Sequence, residues 1–99
     1  MAFRLSWSLK AVEDLAEIRA FIAEDNPPAA QKTVEDIVRR VGLLVRFPEM
    51  GRVVPEFALH ELRELVVKPY RIVYRLKAGE GSIEIVRAWH AARGQPEVG

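Results

Sequence analysis

The sequence predicts a single α+β domain, because two segments with the apolar period of helices lie between segments with the alternating period of strands. The predicted order is strand, helix, helix, strand, strand, strand. A length of 99 residues is close to that of one ordinary domain. We expect the helices to form an antiparallel hairpin on one face of a small antiparallel sheet and to leave the other face open. The domain should span residues 1–93, and residues 94–99 should form a flexible C-terminal tail.

Each helix is predicted from apolar residues spaced three and four apart. The first spans about residues 9–24, with Ser8 as its N-cap and an apolar stripe of Ala11, Val12, Leu15, Ile18, Phe21 and Ile22. The second spans about residues 27–47, after Asn26, and its stripe is Val34, Ile37, Val38, Val41, Leu44 and Val45. The short corner between the helices predicts that the two stripes face the same core.

Alternating residues predict four strands, at about residues 2–7, 63–67, 70–76 and 82–89. Short turns join the last three strands, which should form an antiparallel meander. In its middle strand, the residues predicted to face the core are Tyr70, Ile72, Tyr74 and Leu76. The open face should then carry Arg71, Val73 and Arg75, and Arg63 from the preceding strand should join them if the register permits.

The charges of the chain are balanced overall but uneven along it. Fifteen basic and fourteen acidic residues leave a net charge of +1, which argues against a general polyanion-binding protein. Residues 66–93, however, contain six basic and only two acidic residues, and eleven of the fifteen basic residues are arginine. Arginine suits bidentate pairing with carboxylates or phosphates, so the C-terminal strands are expected to form a cationic face.

Several classes of function are disfavoured by what the sequence lacks. It contains no cysteine, so disulfides, thiolate nucleophiles and cysteine metal sites are excluded. It has no glycine-rich phosphate loop and no HExxH motif, and neither His60 nor His90 has metal-ligand spacing to other residues, so we expect no metal and no cofactor. Its apolar runs are too short for a signal peptide or a membrane span, which favours the cytoplasm and no membrane partner.

One catalytic arrangement is conceivable from the residue types alone. His90 could act as a general acid or base near neutral pH, and Arg71 could stabilise a pentacovalent phosphate, as in a metal-free ribonuclease. The alternatives are structural. A lone histidine at a strand end usually packs or hydrogen-bonds, and the strand arginines could simply pair with Glu64 or Glu84. The residue types leave both interpretations open.

Short motifs along the chain carry a resemblance to one known family. They are Trp7-Ser8 with Asp14-Leu15, Asn26-Pro27 with Ala29-Ala30, Phe47-Pro48-Glu49-Met50-Gly51-Arg52, Arg63-Glu64-Leu65-Val66-Val67, Pro69-Tyr70-Arg71-Ile72-Val73-Tyr74 and Arg87-Ala88-Trp89-His90-Ala91-Ala92-Arg93. Their order and spacing over about residues 3–93 resemble the ParE/RelE superfamily of toxins from bacterial type II toxin–antitoxin modules, and more closely its ParE, or plasmid stabilisation, branch. The fold of that family, a helical hairpin against a small antiparallel sheet, agrees with the fold that the periodicity predicts.

The resemblance implies a small growth-inhibiting toxin that a cognate antitoxin holds inactive. ParE-like members inhibit DNA gyrase, whereas RelE-like members cut messenger RNA in the ribosome. In the RelE-like branch, Arg71 would match a phosphate-stabilising arginine and His90 an acid or base, with Arg63 as a third candidate. Nuclease toxins of this family commonly carry an aromatic residue such as tyrosine at the end of the last strand, whereas here Ala91 and Ala92 follow the histidine. A net charge of +1 also suits binding to the polyanionic ribosome poorly. We therefore predict gyrase inhibition, with a ribosome-dependent mRNA endoribonuclease or a non-toxic toxin-like binding domain as the alternatives.

The resemblance also implies which partners the chain has. The antitoxin is expected to be ParD-like, with an acidic, amphipathic C-terminal segment that folds on binding. The candidates for contact with the antitoxin are Arg63, Arg71, Val73 and Arg75. The candidates for contact with gyrase are Arg71, Arg75, His90 and Arg93. Direct sequence-specific binding of DNA is not expected.

Overall fold

The computed structural model describes residues 2–98 and confirms the α+β fold. Its helices and strands are, in chain order, β1 (Arg4–Trp7), α1 (Leu9–Ala23), α2 (Pro27–Gly42), β2 (Arg52–Val53), β3 (Leu62–Val67), β4 (Tyr70–Lys77) and β5 (Ser82–His90). Short 3₁₀ turns follow α2, β4 and β5, at Leu43–Val45, Ala78–Glu80 and Ala91–Arg93. None of the helices in this part of the chain is both long and apolar enough to cross a membrane.

Both helices begin where their capping residues predict. The Ser8 hydroxyl accepts a hydrogen bond from the Ala11 N–H at 3.0 Å, and the Asn26 side chain accepts one from the Ala29 N–H at 3.1 Å. The apolar stripe predicted that the second helix would end near residue 47, but the helix ends at Gly42. The chain tightens there into a 3₁₀ turn, which lets the Val45 carbonyl accept a hydrogen bond of 3.0 Å from the Phe3 N–H beside β1.

The five strands form one mixed sheet in the order β1-β5-β4-β3-β2. The last three strands make the predicted antiparallel meander, but β1 pairs with β5 in parallel, so the sheet is not purely antiparallel. Parallel pairing needs a long crossover connection, which the chain between β1 and β5 supplies. The edge strand β2 was not predicted from the sequence, because two residues are too few to show an alternating period.

The main core lies between the helical hairpin and one face of the sheet. It contains Ile18, Ile37, Val41 and Leu44 from the helices and their adjoining turn, and Leu65, Ile72, Tyr74 and Ile85 from the strands. Three residues that the apolar stripes assign to this core are instead exposed: Val12 by 50%, Phe21 by 69% and Val38 by 48%. Val12 lies about 100° around the helix from the buried Ala11, so it faces away from the sheet, whereas Phe21 lies in the last turn of the helix.

A second, smaller core covers the other face of the sheet. Val54, Leu62 and Val73 are buried there, and Phe57, Val86 and Val98 pack against them. The expectation of an open face is therefore wrong, because the segment after β2 and the C-terminal residues fold back over it. In the structure the side chain of Pro96 is buried as well. The flexibility of residues 94–99 in solution stays a prediction; Gly99 lies outside the described residues.

Candidate functional site

The register of the sheet distributes the predicted site residues over both of its faces. Across β4 and β5, Arg71 lies opposite Trp89, and Tyr70 lies opposite His90. Because side chains alternate along a strand, Arg71 and His90 stand on opposite faces. Across β3 and β4, Arg63 lies opposite Tyr74, on the face that carries the helices. The register thus separates Arg63 from Arg71, contrary to the arrangement that the sequence suggested.

Arg71 is buried beneath the segment that follows β2. Its Nε donates a hydrogen bond of 2.7 Å to Glu64, and its two terminal nitrogens donate bonds of 2.8 and 2.7 Å to the two oxygens of Glu56. Glu64 is itself buried and also accepts a bond of 2.6 Å from Arg52. The hydrogen bonds from Arg71 lower the pKa of Glu56 to about 2, although partial burial of the carboxylate opposes the shift. Arg71 is therefore paired with two carboxylates. The pairing with Glu64 agrees with the alternative in which the strand arginines form ion pairs with acidic residues instead of acting in catalysis.

The side chains of Arg63 on β3 and Tyr74 on β4 form hydrogen bonds with the backbone of the loop between α2 and β2. The Tyr74 hydroxyl donates to the Pro48 carbonyl at 2.8 Å and accepts from the Gly51 N–H at 3.0 Å. Arg63 Nη1 donates to the Gly51 carbonyl at 3.0 Å, and its Nε donates to the His60 carbonyl at 3.1 Å. Burial raises the pKa of Tyr74. The loop is thus fixed to β3 and β4 by side chains that are themselves buried.

A buried ion pair between Asp14 and Arg87 joins α1 to β5. The Asp14 carboxylate accepts hydrogen bonds of 2.7 and 3.0 Å from Arg87 and one of 3.0 Å from the backbone N–H of Ala88. The parallel pairing of β1 ends at Trp7 and Ile85, so Asp14 caps the edge of β5 where its neighbouring strand stops. The hydrogen bonds that Arg87 donates to Asp14 raise the pKa of Arg87. Sequence interpretation missed this pair, although a carboxylate on the apolar side of a helix was a signal for it.

His90 and Arg93 lie at the wall of a groove between α1 and the ends of β4 and β5. The groove has a volume of about 310 Å³, and its lining includes Phe21 and Tyr70. The His90 ring meets the Tyr70 ring edge-on, with their centres 5.3 Å apart, and its Nδ1 accepts a bond of 3.0 Å from the Ala92 N–H. Burial raises the pKa of Tyr70. The structure therefore brings His90 together with Arg93 and an exposed phenylalanine, and not with Arg71.

The remaining candidates lie on the face opposite the helices. Val73 is fully buried in the second core, and Arg75 is half-buried opposite Glu84 on β5. Within residues 2–98, no three histidine or acidic side chains stand close enough together to hold a metal ion. The groove of His90 and Arg93 is therefore the place where predicted site residues meet an accessible surface. Its lining combines apolar side chains with Arg93 and the acidic Asp14 and Glu17, a mixture that suits contact with another macromolecule.

The family model described as "ParE toxin of type II toxin-antitoxin system, parDE" matches residues 5–94. The chain belongs to this ParE toxin family. It is therefore a toxin of a type II toxin–antitoxin system within the ParE/RelE superfamily, as its motifs indicated.

Similar proteins carry the names of both branches of the superfamily. The toxin is 38% identical to "Toxin RelE2" of Caulobacter vibrioides over 87 residues, which are 88% of this chain and 93% of the relative. It is 36% identical to "Putative toxin Y4kP" of Sinorhizobium fredii over 97 residues, covering 96% and 95% of the two chains. Its fold resembles a solved chromosomal ParDE toxin–antitoxin system from P. aeruginosa, with a TM-score of 0.72, 28% identity and coverage of 90% of this chain and 96% of that one.

Proposed function

We propose that this toxin inhibits growth in the cytoplasm by binding and poisoning DNA gyrase, and that a ParD-like antitoxin neutralises it. The observation that carries the proposal is the separation of Arg71 from His90 on opposite faces of the sheet. A metal-free ribonuclease needs its acid or base and its phosphate-stabilising cation around the same reacting phosphate. With Arg71 committed to Glu56 and Glu64, the arrangement supports action by binding rather than by RNA cleavage.

The groove beside α1 is the surface that we assign to gyrase. It presents Arg93 and Phe21 as exposed side chains, with His90 half-buried beside them. Aromatic and arginine side chains at the rim of an apolar groove are typical of the residues that contribute most to protein–protein binding. Arg75 remains a peripheral candidate on the other face, whereas the burial of Arg71 gives it a supporting role.

A ribosome-dependent mRNA endoribonuclease is the second candidate function, and one observation favours it. The relative named RelE2 is 38% identical to this chain. A non-toxic, toxin-like binding domain is the third candidate. The three candidates differ in what expression of the toxin alone produces: gyrase-linked DNA breaks, new messenger RNA ends, or no loss of growth.

The deciding experiment combines purified toxin with gyrase and, separately, with a translating extract. We expect the toxin to inhibit supercoiling, to accumulate cleaved DNA with gyrase attached, and to produce no cleavage of messenger RNA in codon register. The variants His90→Ala and Arg93→Ala should each weaken gyrase inhibition about tenfold, corresponding to about 1.4 kcal/mol of binding free energy. Arg19→Ala is the matched control, because Arg19 is an exposed arginine of α1 outside the groove.

Three results would decide against the proposal, and a fourth would remove only the groove as its site. Normal supercoiling at saturating toxin would exclude gyrase as the target, and messenger RNA cleavage in codon register would establish the nuclease instead. Full toxicity of the His90 and Arg93 variants would leave gyrase inhibition in place but remove the groove as its site. Normal growth on expression of the wild-type chain without antitoxin would favour the non-toxic domain.

A further inference from the structure

A ridge of exposed apolar side chains follows the end of α2. It consists of Leu43, Phe47 and Met50, which are 43%, 57% and 41% exposed. The Phe47 N–H donates to the Leu43 carbonyl at 2.9 Å, and the Met50 N–H donates to the Phe47 carbonyl at 3.0 Å, so successive turns of the chain bring the three residues side by side. Phe47 and Met50 also line one shallow groove. Large apolar side chains grouped on a surface in this way are typical of binding sites.

The ridge is held rigidly although its side chains are exposed. Beneath it, the Tyr74 hydroxyl bridges Pro48 and Gly51, and Arg63 binds the Gly51 carbonyl. A Cβ atom on Gly51 would lie 2.6 Å from the Glu64 carbonyl oxygen, so the backbone here is packed as closely as a glycine allows. A surface already fixed in one conformation loses little conformational entropy when a partner binds. The ridge is therefore preorganised for binding.

The charges around the ridge indicate the chemistry of its partner. Residues 39–52 contain four basic residues and the single acidic residue Glu49. Arg39 is paired with Asp36 and Arg52 with Glu64, so Arg40 and Arg46 supply the positive charge that is left for a partner. Arg46 is exposed and directly precedes Phe47. A partner that covers the apolar ridge must bring carboxylates to this rim for its charges to be complementary. A second copy of this chain would instead bring its own arginines to the same rim, and like charges would repel.

We propose that the ridge of Leu43, Phe47 and Met50 seats an acidic, amphipathic segment of the cognate antitoxin. The apolar side of that segment packs on Phe47 and Met50, and its carboxylates face Arg46. This inference rests on the proposed function, and it identifies the surface of the toxin to which the antitoxin binds. The residues that the sequence suggested for that contact include Arg63, Arg71 and Val73, which are all buried, whereas the ridge is accessible.

The ridge lies far from the groove assigned to gyrase. Phe21 at the end of α1 adjoins the start of α2, whereas the ridge follows the end of α2. A helix of 16 residues is about 24 Å long, so the ridge and Phe21 lie at opposite ends of the hairpin. Substitutions on the ridge should therefore act on antitoxin binding and leave the action of the free toxin intact.

The cognate antitoxin is expected to be encoded by the reading frame beside that of the toxin. The test measures the affinity of the purified, full-length product of that reading frame for the intact toxin by calorimetry. The double variant Phe47→Ser with Met50→Ser should bind this product at least a hundredfold more weakly than the wild type. Arg46→Glu should bind it about tenfold more weakly, with a smaller dependence on salt. The matched controls are Leu9→Ser and Arg19→Glu, which change exposed residues of α1 outside the groove assigned to gyrase and should keep wild-type affinity. Unchanged thermal unfolding checks that each variant is folded.

Each remaining outcome overturns the inference in a recognisable way. Wild-type affinity in the ridge variants would exclude the ridge as the antitoxin site. Loss of gyrase inhibition by the ridge variants without antitoxin would make the ridge a target surface. A wild-type dimer in sedimentation that the ridge variants dissolve would make the occupant a second copy. If the adjacent gene's product does not bind wild-type toxin at all, the antitoxin part of the proposed function fails together with the ridge, whereas gyrase inhibition is judged separately.

Discussion

Asp14 and Arg87 are 73 residues apart in the sequence, yet their side chains meet in two hydrogen bonds of 2.7 and 3.0 Å. Both side chains are buried, at 5% and 9% exposure. The pair holds α1 against the part of β5 that leads to His90 and Arg93. The position of the groove therefore depends on a contact between two residues that are distant in the sequence.

Replacing Asp14 by asparagine should destabilise the toxin strongly. Asparagine keeps the shape of the side chain but leaves the Arg87 guanidinium buried without a counter-charge, which costs about 3 kcal/mol. The free energy of unfolding in urea measures this loss. Glu13→Gln, on the neighbouring exposed position, is the control and should stay within about 0.5 kcal/mol of the wild type. A similarly small change in Asp14→Asn would show that the pair adds no net stability.

Glu56 should make part of the stability of the toxin depend on acid pH. Its pKa falls from 4.5 in the unfolded chain to about 2 when it accepts the hydrogen bonds of Arg71. The ion pair therefore stabilises the fold above pH 4.5, and this contribution is lost as the pH falls towards 2. Because the carboxylate is 30% exposed, we expect Glu56→Gln to cost only about 1 kcal/mol at pH 7.

The measurement for Glu56 is urea unfolding of the wild type and Glu56→Gln at pH 7, 5, 4 and 3. The difference between their free energies of unfolding should be constant from pH 7 to 5 and should shrink below it. Glu61→Gln, which changes an exposed carboxylate of the same region, should run parallel to the wild type at every pH. A gap for Glu56→Gln that does not change with pH would contradict the assignment.

Gly51 should not accept a side chain. A Cβ atom there would lie 2.6 Å from the Glu64 carbonyl oxygen and 2.7 Å from the Tyr74 ring, both of which are buried. Gly51→Ala should therefore lower the free energy of unfolding by about 1–3 kcal/mol. Gly79→Ala is the control, because a Cβ atom at Gly79 meets no other atom within 4 Å. Equal stability of the two variants in thermal unfolding would show that the loop yields easily.

Deleting residues 95–99 tests whether the C-terminal segment is a tail or part of the fold. Val98 packs on the second core, and Pro96 is buried, so their removal should expose Val54 and Val73 and cost about 2 kcal/mol. The readout is urea unfolding, with Glu97→Ala as a control that leaves the backbone in place. Unchanged stability after the deletion would support the flexible tail that the sequence predicts.

The helices and strands with a long, regular apolar period were predicted closely from the sequence. The first helix differs from its prediction by one residue, and β3, β4 and β5 each agree within one residue at either end. These elements bury residues at regular intervals, so their pattern is visible without knowledge of their neighbours. The two-residue strand β2 and the early end of α2 at Gly42 were missed, because they depend on contacts with β3 and with Phe3.

The candidate site was only partly predictable. His90 and Arg93 were recognised as candidates and do lie in one accessible groove. Arg71 was recognised too, but the sequence contains no sign that Glu56, in a loop, folds over it. The ridge was present only as a family motif around Phe47. The backbone of the ridge is anchored by hydrogen bonds from Tyr74 and Arg63, which lie on strands further along the chain.

Local order in the sequence was sufficient for the class of fold, for the helix caps and for the family, because each depends on residue types at short spacing. Tertiary structure alone decided which arginines are buried, that Arg63 lies on the face opposite Arg71, and which surfaces stay accessible. The physical reason is that alternation along a strand predicts which side chains share a face. Whether those side chains are buried, and which residues they pair with, depends on the segments that cover the face. Here Glu56 and Val98 cover it, and both come from segments without a regular period.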